Sequence, residues 1–168
     1  MYFLQTLPPV FSPKHRGYGC KFFWICFILR YMDLLEYQPK DFSLWMDVKS
    51  CTQNKLHKKI FYKEGDIYWM SLGLNIGSEQ DGKGKKYSRP VLIIKGFSST
   101  LVWGIPLSTT KNRGALYHTF QLNGKTSVAL LSQLRSVDMA RATSPRLIGH
   151  VPNTTILNIK EKLKGLLT

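Results

Sequence analysis

Two charged residues, Glu79 and Arg89, sit near the two ends of a glycine- and lysine-rich loop. Gly77-Ser78-Glu79-Gln80 opens the loop, Gly82, Lys83, Gly84, Lys85 and Lys86 continue it, and Arg89 ends it directly before Pro90. Glycines let backbone amides approach a phosphate closely, and lysines supply charge. The residue before a proline is pushed into extended backbone, so Arg89 projects from a defined strand mouth. Its guanidinium is a rigid fork that fits a phosphate in the ground state or in a more highly charged transition state. Together, a carboxylate and a guanidinium are a combination that phosphodiester chemistry without a metal can use. The competing readings are a solvated hairpin loop and a surface arginine paired with Glu79 or Asp81. No GK[ST] follows the glycines, which disfavours nucleoside triphosphate binding.

Further hydroxyl and cationic groups stand at other element ends. Ser108, Thr109, Thr110 and Lys111 follow Ile105-Pro106-Leu107, where hydroxyls can hydrogen-bond phosphate oxygens and Lys111 extends a basic path. Serine and threonine there also serve as plain turn formers. In Ser132-Gln133-Leu134-Arg135-Ser136, Gln133 and Arg135 have the chemistry to read base edges or grip phosphates. A helix N-terminus with solvated polar residues is the simpler reading of that stretch. No Ser-His-Asp set is indicated, because nothing places His118 or His150 beside Ser108.

The elements that must position these groups follow from periodicity. Asp41 is a candidate N-cap, and Phe42, Trp45 and Val48 recur at helical spacing, predicting a helix over about Asp41 to Lys55. Its apolar stripe fits a cover on one side of a domain. His57, Lys58 and Lys59 make a basic connector. Strands are predicted at Ile67–Leu72, Pro90–Lys95, Leu101–Leu107, Tyr117–Leu122 and Ser127–Leu131, with Asn123-Gly124 as a hairpin turn between the last two. A closing helix is predicted over Asn153–Leu167, with Ile156, Ile159, Leu163 and Leu166 on one stripe. Several short strands joined by glycine-bearing loops read as a small, strongly bent antiparallel sheet or barrel.

Composition bounds the partners. The 168 residues carry 24 Lys and Arg against 10 Asp and Glu, a net charge of +14. That balance attracts nucleic acid, an anionic surface or an acidic protein. Cys20, Cys26 and Cys51 form no CxxC and have no histidine at metal-ligand spacing, so free thiols in a reducing, cytoplasmic setting are expected and no metal site is. Phe22–Leu29 is apolar but far short of the roughly 20 residues needed to span a bilayer. Arg30, Tyr31 and Asp33 follow it where a signal peptide needs small residues. A membrane-surface patch, an apolar segment packed on the domain and translated sequence upstream of a start at Met32 all fit, and the last is favoured. The expected organisation is an N-terminal extension over 1–31, a helix and basic connector over 32–61, and one domain over 62–168.

Taken in order, GDIYW, NIGSEQDGKG, RPVLII, GIPLSTT, ALLSQLRSVD and the closing helix resemble the MazF/PemK family of toxin ribonucleases, from about Lys63 to Leu167. The resemblance implies a mainly β fold, a small SH3-like antiparallel β-barrel with an N-terminal and a C-terminal helix, acting as a homodimer. It further implies metal-independent, sequence-specific cleavage of single-stranded RNA, restrained by a cognate antitoxin, with no cofactor and no membrane. On that resemblance Arg89 matches the catalytic arginine and Glu79 the loop glutamate. Ser108 falls where the family usually has threonine, which keeps the hydroxyl but loses the methyl that restricts its rotamer. Lys83, Lys85, Lys86, Thr109, Lys111, Gln133 and Arg135 are the candidate RNA contacts. The loop between Glu79 and Arg89 is longer than in the shortest members. Rival readings are a barrel toxin that poisons DNA gyrase without hydrolysis, and a non-catalytic nucleic-acid-binding barrel.

Overall fold

The computed structural model describes residues 40–55, 59–110 and 114–168. Phe22–Leu29, the start at Met32, Cys20, Cys26, His57, Lys58 and Lys111 lie outside the described residues.

Helix α1, Phe42–Asn54, begins as its cap predicts: one Asp41 carboxylate oxygen accepts from the amides of Ser43 (3.0 Å) and Leu44 (3.3 Å). Of its apolar stripe, Trp45 is buried while Phe42 remains exposed. Strands β1 (Asp66–Ser71), β2 (Ser88–Gly96) and β3 (Leu101–Ser108) follow, then the hairpin β4 (Tyr117–Leu122) and β5 (Lys125–Leu130). Asn123 and Gly124 turn that hairpin with φ of 50° and 75°, the left-handed pair that a two-residue turn demands. Two 3-10 turns, Leu131–Gln133 and Met139–Arg141, flank β6 (Arg135–Asp138). Strand β7 is only Gly149–His150, and helix α2, Asn153–Gly165, closes the chain.

All pairings are antiparallel, in the order β4-β5-β3-β2-β1-β7, with β6 on β3. Strand β3 bends the sheet. It pairs with β6 over Leu101–Gly104 and with β5 at Leu107 and Ser108, while β2 runs along its other edge. A Cβ on Gly104 would lie 2.4 Å from a Val91 methyl, so only glycine admits that close approach. The far ends of the strand order come back together: Asn123 Nδ2 donates to the Ile148 carbonyl at 3.0 Å, and Leu122 packs on Gly149. The result is the expected curled, barrel-like antiparallel sheet with two helices.

Two apolar clusters occupy opposite faces of the sheet. Ile67, Leu92, Ile105, Leu107 and Ala129 pack under Ile156 and Ile159 of α2, whose periodicity placed them there. Tyr68, Met70, Val91, Ile93, Val102 and Val137 form the second. Strands β1 and β2 are therefore buried on both faces, which is why they read as continuous apolar runs. The expected helix start at Ser132–Ser136 is corrected here: the stretch is a single 3-10 turn entering β6. Strand β6 escapes periodicity because it is four residues long and carries both Arg135 and Asp138. Among the described residues, no helix is long and apolar enough to cross a membrane.

Candidate active site

Arg89 is the second residue of β2 and pairs with Met70 of β1. On the other edge the paired register reaches Val91 opposite Pro106. Beyond it, Arg89 Nη1 donates to the carbonyl of Leu107, the residue before Ser108, so the guanidinium reaches the β3 end that carries Ser108. The guanidinium is held by three acceptors. Nε donates to the Asp81 carbonyl, and Nη1 to the Leu107 carbonyl at 3.4 Å. With the Gln80 amide assigned in the orientation that satisfies its neighbours, Gln80 Oε1 accepts from Arg89 Nη2 at 2.8 Å and from the Asp81 amide at 3.2 Å. Partial burial lowers the Arg89 pKa from its ordinary value, and the nearby Asp81 charge opposes that shift. The guanidinium stays cationic at neutral pH.

The loop from Leu72 to Tyr87 supplies two of those acceptors because it folds back on itself. The amides of Leu72 and Gly73 both donate to the Tyr87 carbonyl, at 2.9 and 3.1 Å, which closes the stem. The Gly82 amide donates to the Gly73 carbonyl at 2.8 Å, and Lys83 and Ser88 exchange a pair of backbone bonds at 2.9 Å each. Gly82 lies so close to the Tyr87 backbone that a Cβ would fall 1.7 Å from the Tyr87 carbonyl oxygen. Side chains complete the fold. The Asp81 carboxylate accepts from the Asn75 amide (2.6 Å) and pairs with Lys40 (2.7 Å), while Asn75 Nδ2 donates to the Gln80 carbonyl (2.8 Å).

The expected site residues are not all brought together. Glu79 is exposed, and its carboxylate accepts from the Ile76 amide at 3.4 Å rather than from Arg89. The loop does return to Arg89, but it presents Gln80 and the Asp81 carbonyl. Ser108 Oγ accepts from the Thr110 amide at 3.1 Å, leaving its own hydrogen free to donate. Gln133 spends both ends of its amide on the loop: Oε1 accepts from the Gln80 amide at 3.0 Å, and Nε2 donates to the Ser78 carbonyl at 3.2 Å. Arg135 Nη1 donates to Asn75 Oδ1 at 3.4 Å. Lys83, Lys85, Lys86 and Thr109 are exposed around the loop and the β3 end. Sequence reasoning missed Asn75 and Lys40, gave Gln80 no role, and paired Asp81 with Arg89 only as a surface ion pair, whereas the Asp81 carbonyl is what Arg89 holds.

The chain matches, over residues 63–167, the family described as PemK-like, MazF-like toxin of type II toxin-antitoxin system. No curated protein sequence matches it. Solved structures to which it is similar include MazF from Deinococcus radiodurans, at 22% identity over 63% of this chain and 96% of that one, with a TM-score of 0.49. Another is a MazE-MazF complex from the same organism, at 17% identity over 63% of this chain and 94% of that one, with a TM-score of 0.46. A third is an endoribonuclease in complex with its cognate antitoxin from a Mycobacterial species, at 16% identity over 62% of this chain and 92% of that one, with a TM-score of 0.48. Through the match that covers most of its length, the chain belongs to the PemK/MazF family of type II toxin-antitoxin toxins.

Proposed function

We propose that this toxin is an endoribonuclease that cleaves single-stranded RNA by attack of a ribose 2′-hydroxyl on the adjacent phosphorus. The observation that carries this reading is the anchored Arg89. Of the five N–H groups of a guanidinium, three are spent on Asp81, Leu107 and Gln80, which leaves two for a phosphate. A donor fixed before the reaction need not reorganise as charge develops.

In the step itself, the 2′-oxygen loses its proton to Glu79 or to water as it bonds to phosphorus. The bond to the 5′-oxygen breaks, and that oxygen takes a proton from water as it leaves. The products are a 2′,3′-cyclic phosphate and a 5′-hydroxyl. Arg89 stabilises the non-bridging oxygens, and the free Ser108 hydrogen donates to the same phosphate. Arg89 is cationic and therefore acts as a charge stabiliser. In this reading Glu79 accepts the 2′-proton from RNA that crosses the loop tip. Single-stranded RNA is favoured because unstacked bases can be held against side chains and read on their edges. Lys83, Lys85, Lys86, Thr109 and Lys111 supply the backbone track. Gln133 and Arg135 serve this reading by holding the loop. The toxin acts as a homodimer restrained by its cognate antitoxin.

The test is cleavage of an unstructured RNA in EDTA by the purified chain and by Arg89→Ala. The wild-type chain cuts, and the variant loses about a hundredfold or more in rate, the scale of removing one preorganised charge-stabilising donor, with its fold intact. Cleavage that requires magnesium, or that persists in the variant, contradicts the proposal.

A further inference from the structure

The region that matches the toxin family begins at residue 63, yet part of the chain before it grips the Arg89 loop. Lys40 Nζ pairs with Asp81 Oδ2 at 2.7 Å and donates to the Asn75 carbonyl at 2.6 Å. The Asp81 carboxylate that Lys40 holds belongs to the residue whose carbonyl accepts from Arg89 Nε. One residue thus joins Lys40 to the guanidinium. Trp45 of α1 grips the other end of the loop. Its ring is buried, lies edge-on to Tyr87 with centroids 5.5 Å apart, and presses on Gly73 so closely that a Cβ there would fall 2.3 Å from the ring. Gly73 and Tyr87 form the loop stem, at φ of 88° and 46°. Tyr87 is one of only two non-glycine residues with positive φ among those described, a conformation that needs support from its surroundings.

We propose that Lys40 and helix α1 are a positioning brace for Arg89, built from chain outside the family domain and acting through Asp81 and the loop stem. The brace rests on the ribonuclease reading for its effect on rate, but not for its effect on the loop. Two independent contacts, an ion pair at the tip and an aromatic wedge at the stem, converge on a segment otherwise held by its backbone turns, by the side chains of Asn75 and Asp81, and by Gln133 and Arg135. Without them the Asp81 carbonyl and Gln80 amide drift, and Arg89 keeps its charge but loses its aim. Small misplacement of a catalytic group lowers turnover more than binding.

The experiment uses the full chain with Lys40→Ala, Lys40→Arg, Trp45→Ala and Lys49→Ala. Lys49, on the exposed surface of α1, controls for the loss of one positive charge. Steady-state cleavage of an unstructured RNA and amide hydrogen exchange at Asn75, Gln80 and Gly82 are measured for each. Lys40→Ala is expected to lower kcat about tenfold or more, within the range that misalignment produces, with KM changed far less. Lys40→Arg restores most of the rate, Lys49→Ala retains it, and the loop amides exchange faster in Lys40→Ala and Trp45→Ala. Unchanged loop exchange in those two variants, or unchanged kcat, overturns the brace. A wild-type chain that does not cut RNA contradicts the ribonuclease reading instead, and the brace is then decided by the exchange alone.

Discussion

At the scale of single residues, the chemistry turns on how a strongly basic side chain is aimed. The Arg-Pro step makes the position of Arg89 legible in the sequence, because proline sets the backbone before it. Its holders are not legible. Gln80 reaches Arg89 while its own backbone amide donates to Gln133, 53 positions away, and the Asp81 contact is a carbonyl that any residue type offers. Glu79 illustrates the converse: its residue type and neighbourhood point to the site, yet its carboxylate is turned to the Ile76 amide. Ser108 ends β3 as its place after Ile105-Pro106-Leu107 suggests, and its turn-forming role is real, since Oγ accepts from the Thr110 amide. Ser108→Ala is therefore expected to lower kcat about tenfold, the worth of one hydrogen bond near 1.4 kcal/mol. Ser108→Thr should match or exceed the wild type, because its methyl restricts the rotamer while the hydroxyl is retained. Single-turnover cleavage at saturating enzyme measures both, and an unaffected Ser108→Ala removes that hydroxyl from the mechanism.

At the scale of elements, strands β1 to β5 and both helices are legible because each has a strong period or a specific turn. Trp45, Ile156 and Ile159 are buried as their spacing requires. Strands β6 and β7 are not, since four and two residues are too few to show alternation and are placed by pairing with distant partners. Helix α2 also has a charged tether that no local pattern reveals. Glu64 pairs with Lys160 of α2 at 2.6 Å and with Lys95 of β2 at 3.3 Å. Hydrogen bonding to Lys160 is the largest cause of its lowered pKa, reinforced by Lys95 and opposed by partial burial. Since the folded pKa lies below the ordinary 4.5, this group stabilises the fold above that value and loses the contribution as pH falls through the folded pKa. Both partners are partly exposed, so the pair contributes at most about 1 kcal/mol. Urea denaturation of Glu64→Gln should show a deficit of that size or less at pH 7 that disappears in acid. A deficit equal at both pH values contradicts the assignment.

At the scale of the whole molecule, a net charge of +14 made a polyanionic partner the leading expectation, and membership of the toxin family agrees with a chain that works on another macromolecule. Charge alone does not distinguish RNA cleavage from mere RNA binding. That distinction rests on Arg89 being anchored with donors to spare. The exposed Lys83, Lys85 and Lys86 give the charge a place to act. If each neutralises one phosphate, replacing all three by alanine reduces the slope of log affinity against log salt by roughly 2 for a single-stranded partner. RNA-binding titrations on an Arg89→Ala background measure that slope without cleavage, and an unchanged slope moves the RNA track away from the loop. The central claim is tested most directly by the ends of the RNA fragments formed in EDTA. The account predicts 2′,3′-cyclic phosphates and 5′-hydroxyls, and no cut where the nucleotide 5′ to the scissile phosphate lacks its 2′-hydroxyl. Fragments bearing 5′-phosphates, or cleavage at a 2′-deoxy nucleotide, would contradict it.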